Sequence, residues 1–528
     1  MIKIDKDEFY LSAGEACYIF RNENGALMHV YFGKRVEPED DLAGLGLGQN
    51  KTPELDCALV AADGKTTPVK LVYERAEIVD EKPTDCDTLL GGKTLVVTLA
   101  DKANKLKAQI YYTTYHRGGF SRSVVFKNES NKAITLRAKQ SAAVDGNNIV
   151  TVNADGKICA GGKANKSAEF FTAVTTENND AYGFLCAYAG GKASAEIKQS
   201  VAVVTCCGDD IRISPKSAAR CAELLAVYSD AGLYGMTRVF HDILRESMGD
   251  NSISERSPAV LFLPELTDDE ITDAVQAAYG MGFGVVAFDC GKYSDPAVKA
   301  IADKCREQGI SLGLRCRDGA ELNDIKRAVK LYDIKCVTLD ADLKSMRKLF
   351  EIKNELCREF PDLRVEFGIP TDGLRLALSV CYPVGCLRNI VTLLPSDSFK
   401  QRFDCATMGT LGYEFDPSAV SDGLMLAVRA QKQSYQDDAL TVMRGDIYRS
   451  GDDLIAVSKD KSKAYAVCIT DGNEKRVRIS GLDEHNLYHV RENDKTFSGA
   501  ALMYCGVLLP GGVTTHVLHL IQVADFFN

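Results

Sequence analysis

The 528-residue chain contains no tryptophan, although it has 21 tyrosines and 21 phenylalanines. Flat aromatic faces commonly wall sugar-binding clefts, and indole is the largest of them, so any such wall here must use smaller rings. No run of 18 or more apolar residues occurs, and no membrane span is expected. The 18 cysteines include no C-x-x-C pair, and the doublet Cys206-Cys207 has no matching second pair. With only seven scattered histidines, neither a structural zinc site nor a histidine-based metal site is expected. Basic charge is also short: 63 Lys and Arg against 73 Asp and Glu leave a net charge of −10, which argues against a nucleic-acid partner. No P-loop and no G-x-S-x-G elbow is present. The glycine-rich "GLGLGQN" (44–50) is not followed by a helical pattern, so it reads as a loop and not as a phosphate cradle. No cofactor is expected. The opening "MIKIDKDEFYLSAGEACYIF" lacks a basic segment followed by an apolar one, and many cysteines, such as Cys186, Cys336, Cys381 and Cys468, sit singly in apolar runs. The expectation is a cytoplasmic protein whose cysteines are reduced and buried.

What is present falls into three regions. Residues 1–235 alternate apolar and polar residues, as in "TLVVTLADKANKLKAQIYYTTY" and "GFSRSVVFKNESNKAITLRAKQSAAVD", and predict an antiparallel β-sandwich. Residues 236–435 begin in a helical stretch, "GLYGMTRVFHDILRESM", and then alternate short apolar strands with amphipathic helices. The strands are "AVLFLP", "GVVAFD", "SLGLRC", "CVTLD", "RVEFGI", "NIVTLL" and "LGYEFD". This rhythm predicts a parallel sheet, and its even spacing favours a shortened (β/α) barrel of the TIM type. Only seven strands are convincing where eight are usual, with irregular chain expected around residues 370–386 in place of the eighth. Residues 436–528 return to alternation and predict a C-terminal antiparallel β-domain.

Acids end three of the barrel segments. Asp289 closes "VVAFD", Asp340 closes "VTLD", and Asp372 follows "EFGIP" in "PTDGL". Carboxylates at the carboxyl ends of barrel strands converge on a cleft, and two at the right separation suffice for glycoside hydrolysis. Each could instead cap the next helix, a role Asp fills well; for Asp340 the site reading is favoured, and for Asp372 before "GLRLALSV" the two readings are evenly balanced.

At these residues the sequence resembles glycoside hydrolase family 36, the bacterial α-galactosidases, over essentially its whole length. "ENGALMHVYFGKRV", "SRSVVFKNES", "AVYSDAGLYGMTRVFHDILRE", "RFDCATMGTLGYEFD" and "GDIYR" are similar to successive scaffold signatures of that family. The resemblance implies a retaining mechanism on a small α-galactoside-like carbohydrate, in a possible homo-oligomer. Asp340 would be the nucleophile and Asp372 the acid/base, with Asp289, Lys292 and Arg315 on the substrate. The site motifs depart from the family pattern. Lys-Trp-Asp is matched by Thr338, Leu339 and Asp340; Asp-Asp-Gly-Trp by Asp289, Cys290, Gly291 and Lys292; and Leu-Trp-Phe-Glu by Leu314, Arg315, Cys316 and Arg317. Losing the lysine, the indoles and one acid removes charge-assisted hydrogen bonds and stacking together. The expectation is therefore a catalytically impaired or purely sugar-binding relative. The alternative is an active retaining α-galactosidase.

Overall fold

The computed structural model describes residues 1–37, 42, 44–49, 51–80, 92–153, 158–160, 170–186, 192–198, 200–221, 223–248, 258–317, 320–340, 346–369, 378–392 and 399–523. The chain divides into two compact units: Met1–Met248 with Asp342–Glu351, and Gly249–Ala341 with Ile352–Asn528.

The first unit is built of antiparallel sheets of four, ten and six strands. Its long hairpins follow the alternation of the sequence: Thr94–Asp101 pairs with Leu106–Tyr115, which pairs with Gly119–Asn128. Side chains from these strands, with Phe9, Phe20, Phe126, Phe184 and Tyr182, form one continuous apolar core. A charged cluster lies inside it. The Glu54 carboxylate accepts from Tyr18 Oη at 2.8 Å and from Tyr112 Oη at 3.2 Å, lies 3.0 Å from His29 Nδ1, and pairs with Arg122. Arg122 also donates to Gln140 Oε1 at 3.0 Å and to the Ser141 carbonyl at 2.9 Å. Burial pushes Glu54 up, but Arg122 and His29 outweigh it and hold the carboxyl below its usual range.

The helix Gly232–Met248 seats on the face of this unit, in a groove made by glycine. Gly119 and Gly183 both lie opposite Val227 in adjacent strands, so the three form one row across the sheet. A Cβ on Gly183 would lie 2.4 Å from Phe240, and one on Gly119 would lie 2.2 Å from Ile243. The sequence boundary at residue 235 falls inside this helix.

One cysteine expectation is corrected here. Cys186, read as a lone buried thiol, is bonded to Cys206 with Cα atoms 6.3 Å apart. Cys186 ends a strand of the ten-stranded sheet, Cys206 lies in the six-stranded sheet, and both point into the shared core. That pairing depends on how two sheets face each other, which sequence spacing does not reveal. Fourteen other described cysteines form no disulfide.

The second unit contains a closed barrel of seven parallel strands: Val260–Phe262, Val285–Asp289, Ser311–Cys316, Cys336–Asp340, Arg364–Ile369, Leu387–Thr392 and Thr410–Glu414. The first and seventh pair directly, Phe262 opposite Glu414. Residues 370–377, where irregular chain was expected, lie outside the described residues. Helices between the strands start as their sequences direct. Thr267 and Glu270 form a reciprocal capping box on Asp268–Gly280, and Ser294 accepts from the Ala297 amide at the start of Asp295–Gln308. Inside the barrel Val260, Phe262, Val285, Ala287 and Cys336 pack together. A fully buried pair, Arg388 with Glu366, occupies further interior space, and Arg388 also donates to the Pro258 carbonyl at 3.2 Å.

The helix Asp422–Arg444 leads to a six-stranded antiparallel sheet and a two-stranded one. Polar contacts join the barrel region to this sheet. Thr515 Oγ1 donates to Asp404 at 2.6 Å, and His519 Nε2 lies 2.8 Å from Asp438.

Candidate active site

Alternate residues of a barrel strand face inward, so the last inward residue of each strand reaches the mouth. Asp289 ends the second strand and Asp340 the fourth; Glu414 ends the seventh. Arg315 lies opposite Asp289 in the third strand, and Arg317 follows two positions later. Together they form one charged network.

Arg315 grips Asp340 from the side. Its Nε donates to both carboxylate oxygens at 3.0 Å, and its Nη2 lies 2.9 Å from Oδ2. The guanidinium is 4% exposed, and its carbon lies 5.1 Å from the Phe262 ring centroid. Its Nη1 is 3.0 Å from Glu414 Oε1, close enough for an ion pair but without hydrogen-bond geometry. Arg317 completes the circuit, donating from Nε to Asp289 at 2.7 Å and from Nη2 to Glu414 at 2.8 Å. Lys292 Nζ stands further out, 3.5 Å from Asp289 and 3.9 Å from Glu265. Within the network Asp289, Asp340 and Glu414 meet Arg315, Arg317 and Lys292, so the charges balance.

The two best-placed acids respond in opposite directions. Burial pushes the Asp340 carboxyl above its usual range, against the pull of Arg315 and Arg317. Glu414 is also pushed up by burial, but Arg315 and Arg317 outweigh it and hold its carboxyl below the usual range. The fifth strand makes room for Asp340. Gly368 lies opposite it in register, and a Cβ there would sit 2.4 Å from Asp340 Oδ1.

Of the residues singled out by sequence, Asp289, Lys292, Arg315 and Asp340 share this network. Asp372 lies outside the described residues. Two members escaped the sequence reading as site residues: Glu414 and Arg317. Glu414 ends "TLGYE" and carries the same strand-end signal as Asp340, but the segment was read on to Asp416. Among the described residues no group of three or more His, Cys, Asp or Glu side chains could hold a metal ion.

Residues 25–151 match the glycosyl hydrolase family 36 N-terminal domain, and residues 453–520 match that family's C-terminal domain. The chain is 20% identical over 574 residues to the bifunctional alpha-galactosidase/sucrose kinase AgaSK of Mediterraneibacter gnavus, in a match covering 79% of this chain and 61% of that protein's length. It is 20% identical to alpha-galactosidase AgaA of Geobacillus stearothermophilus, covering 95% and 96% of the two chains. That second alignment runs over 708 positions, more than this chain has residues, so it includes segments of AgaA that are missing here. Among solved structures, the galactosidase domain of AgaSK superposes with a TM-score of 0.79 at 16% identity, covering 99% of this chain and 100% of that one. An AgaA variant in complex with 1-deoxygalactonojirimycin gives 0.78 at 18% identity, covering 98% and 100%. These likenesses establish the fold; the chemistry rests on the residues at the mouth.

Proposed function

We propose that this protein is a carbohydrate-binding relative of the family 36 α-galactosidases that does not hydrolyse glycosides. The observation that carries this reading is the grip of Arg315 on Asp340. A carboxylate that attacks an anomeric carbon must present a free lone pair toward it. Here both oxygens of Asp340 accept from one nearly buried guanidinium. Freeing them would break the bifurcated Nε hydrogen bond, worth about 1.5–3 kcal/mol, together with the Nη2 ion pair, and leave Arg315 to Glu414 alone. Retaining chemistry also needs a second carboxyl about 5–5.5 Å away that can donate a proton. Glu414, the other acid that Arg315 reaches, is held ionised by two arginines and is poorly suited to donate.

Structures of AgaA variants have been solved in complex with raffinose and with stachyose, which makes α-galactosyl oligosaccharides the first ligands to try. The decisive experiment pairs two measurements on the purified protein. Release of 4-nitrophenol from its α-galactoside should be no faster with the wild type than with Asp340→Asn, while calorimetry with raffinose should detect binding. The second reading, an active retaining α-galactosidase with Asp340 as nucleophile and Asp372 as acid/base, is favoured by one observation: Asp340 does end a barrel strand at the mouth. Hydrolysis that is abolished in Asp340→Asn would establish that reading and overturn ours. Absence of both turnover and binding would remove the carbohydrate from either account.

A further inference from the structure

The outer face of the same strand ends carries a pair of thiols that the charged network does not use. Asp289 lies opposite Arg315 in parallel register, and the Cys290 amide donates to the Arg315 carbonyl at 2.7 Å. One step further along, Cys290 therefore stands beside Cys316, the last residue of the third strand. Neighbouring strands run about 4.8 Å apart, within the Cα separation a disulfide spans. Because Asp289 and Arg315 face the barrel axis, the next residues face away from it, toward the helices Asp295–Gln308 and Leu322–Tyr332. A cavity of about 430 Å³ opens there, lined by Phe288, Cys290, Tyr293, Asp295, Arg317 and Asp324 among others. Cys316 is buried, whereas Cys290 is half-exposed to this cavity.

We propose that Cys290 and Cys316 form a redox-active dithiol, with Cys290 the attacking thiol reached through the cavity and Cys316 the resolving one. Cys316 beside it is the main influence holding the Cys290 thiol below its usual range, against its burial and the charges of Asp324 and Asp289. The neighbouring Cys290 and burial push the Cys316 thiol above its usual range. The chemistry needs a low-molecular-weight disulfide as oxidant. Cys290 loses its proton to water and attacks one sulfur, giving a mixed disulfide and releasing one thiolate. Cys316 then attacks the Cys290 sulfur and expels the second thiolate, which takes up the Cys316 proton. Two protein thiols are oxidised to one disulfide, and one external disulfide is reduced to two thiols. Since Cys316 lies between Arg315 and Arg317, the bond would pin the strand end that carries both arginines.

The test uses the full-length protein equilibrated in glutathione buffers of stepwise rising oxidation. Samples are quenched by alkylation, cleaved at glutamates without reduction, and mapped by mass spectrometry. Cleavage after Glu270, Glu307 and Glu321 separates the two cysteines into peptides 271–307 and 308–321. The expected result is a crosslinked pair of these peptides through Cys290 and Cys316, with Cys305 of peptide 271–307 found alkylated and alkylation of Cys290 and Cys316 lost at one midpoint. Cys316→Ser should leave Cys290 as a stable glutathione adduct, and Cys290→Ser should leave Cys316 alkylatable only after denaturation. Exposed Cys505 serves as the internal control for oxidant strength. The proposal is overturned if wild-type Cys290 stops at the glutathione adduct. It is equally overturned if both thiols stay reduced at a poise that has modified Cys505.

Discussion

Two carboxylate–guanidinium networks in this molecule use the same chemistry under different degrees of exposure. In the first unit, Glu54 and Arg122 are 0% and 4% exposed, and the carboxylate is shared among an arginine, a histidine and two phenols. At the barrel mouth Arg315 is equally sealed, but its partners Asp340 and Glu414 are 16% and 26% exposed, and Arg317 is 45% exposed. An ion pair without water must satisfy itself inside the protein, and the first network does so with two phenols and an imidazole around the carboxylate. The second leaves part of its charge facing solvent, where a ligand could replace water. The difference separates a charge network sealed from water from one that solvent reaches.

The comparison breaks most visibly at Arg122. Arg122→Leu strands Glu54 in an apolar core, and removing one partner of such a pair costs about 3–5 kcal/mol. Urea unfolding of the purified variant should show a correspondingly lower midpoint with an unchanged slope. A loss under about 1 kcal/mol would mean that the phenols and His29 alone can hold the charge. At the mouth, the comparable strike is Gly368→Ala, since the new Cβ meets the Asp340 carboxylate. Overpacking of this kind costs about 1–3 kcal/mol, and it should also loosen the Arg315 grip. A crystal structure of the variant checks the second point: an Asp340–Arg315 pair undisturbed beside the added methyl group would show that the strand yields first.

Much of this was legible in the chain. The barrel strands were visible because buried parallel strands read as short apolar runs, and the acids that end them stand out against those runs. Asp340 and Asp289 were found this way. Glu414 carries the same signal, but Phe415 and Asp416 extend the apolar-then-acid pattern and blurred where its strand ends. Arg315 was noticed as a substitution, yet its partner was not foreseeable. Which carboxylate a guanidinium reaches depends on strand register and on the space left by Gly368, neither of which is local in sequence. The bond between Cys186 and Cys206 was hidden for the same reason.

A third cluster, of intermediate exposure, sharpens the comparison through pH. His519 is 14% exposed and lies between Asp438 on the helix Asp422–Arg444 and Glu492, at 2.8 and 2.5 Å. Burial alone would lower its pKa, but the two carboxylates outweigh this and raise it to about 9. A raised value stabilises the fold wherever the ring is charged. The contribution is whole below the unfolded pKa of about 6.5 and is lost as pH rises through about 9. Glu492 is held below its usual range once His519 outweighs its burial, so its share is present above the ordinary carboxylate pKa and lost as pH falls. Between pH 6 and pH 9.5 the wild type should lose about 1–2 kcal/mol through this cluster, after allowance for solvent screening. Asp438→Asn should flatten that slope in urea titrations at the two pH values. An equal slope in both proteins would assign the pH dependence elsewhere.

The smallest effect is expected at Lys292, on the open edge of the mouth. Its ammonium is half-exposed and stands 3.5 Å from Asp289, which already receives a 2.7 Å hydrogen bond from Arg317. An exposed pair of this kind is worth about 0–1 kcal/mol, and the stronger partner remains when it is removed. Lys292→Ala should therefore shift the unfolding free energy by less than about 0.5 kcal/mol. Arg317→Ala should cost more, because it removes a hydrogen-bond partner from Asp289 and from Glu414 at once. If Lys292 instead meets a bound sugar, calorimetry with raffinose will show weaker binding in Lys292→Ala even though its stability is intact. Unchanged binding and unchanged stability together would leave the lysine outside both the fold and the site. A large loss of stability would place the mouth with the sealed network of the first unit, and the contrast between the two would fail.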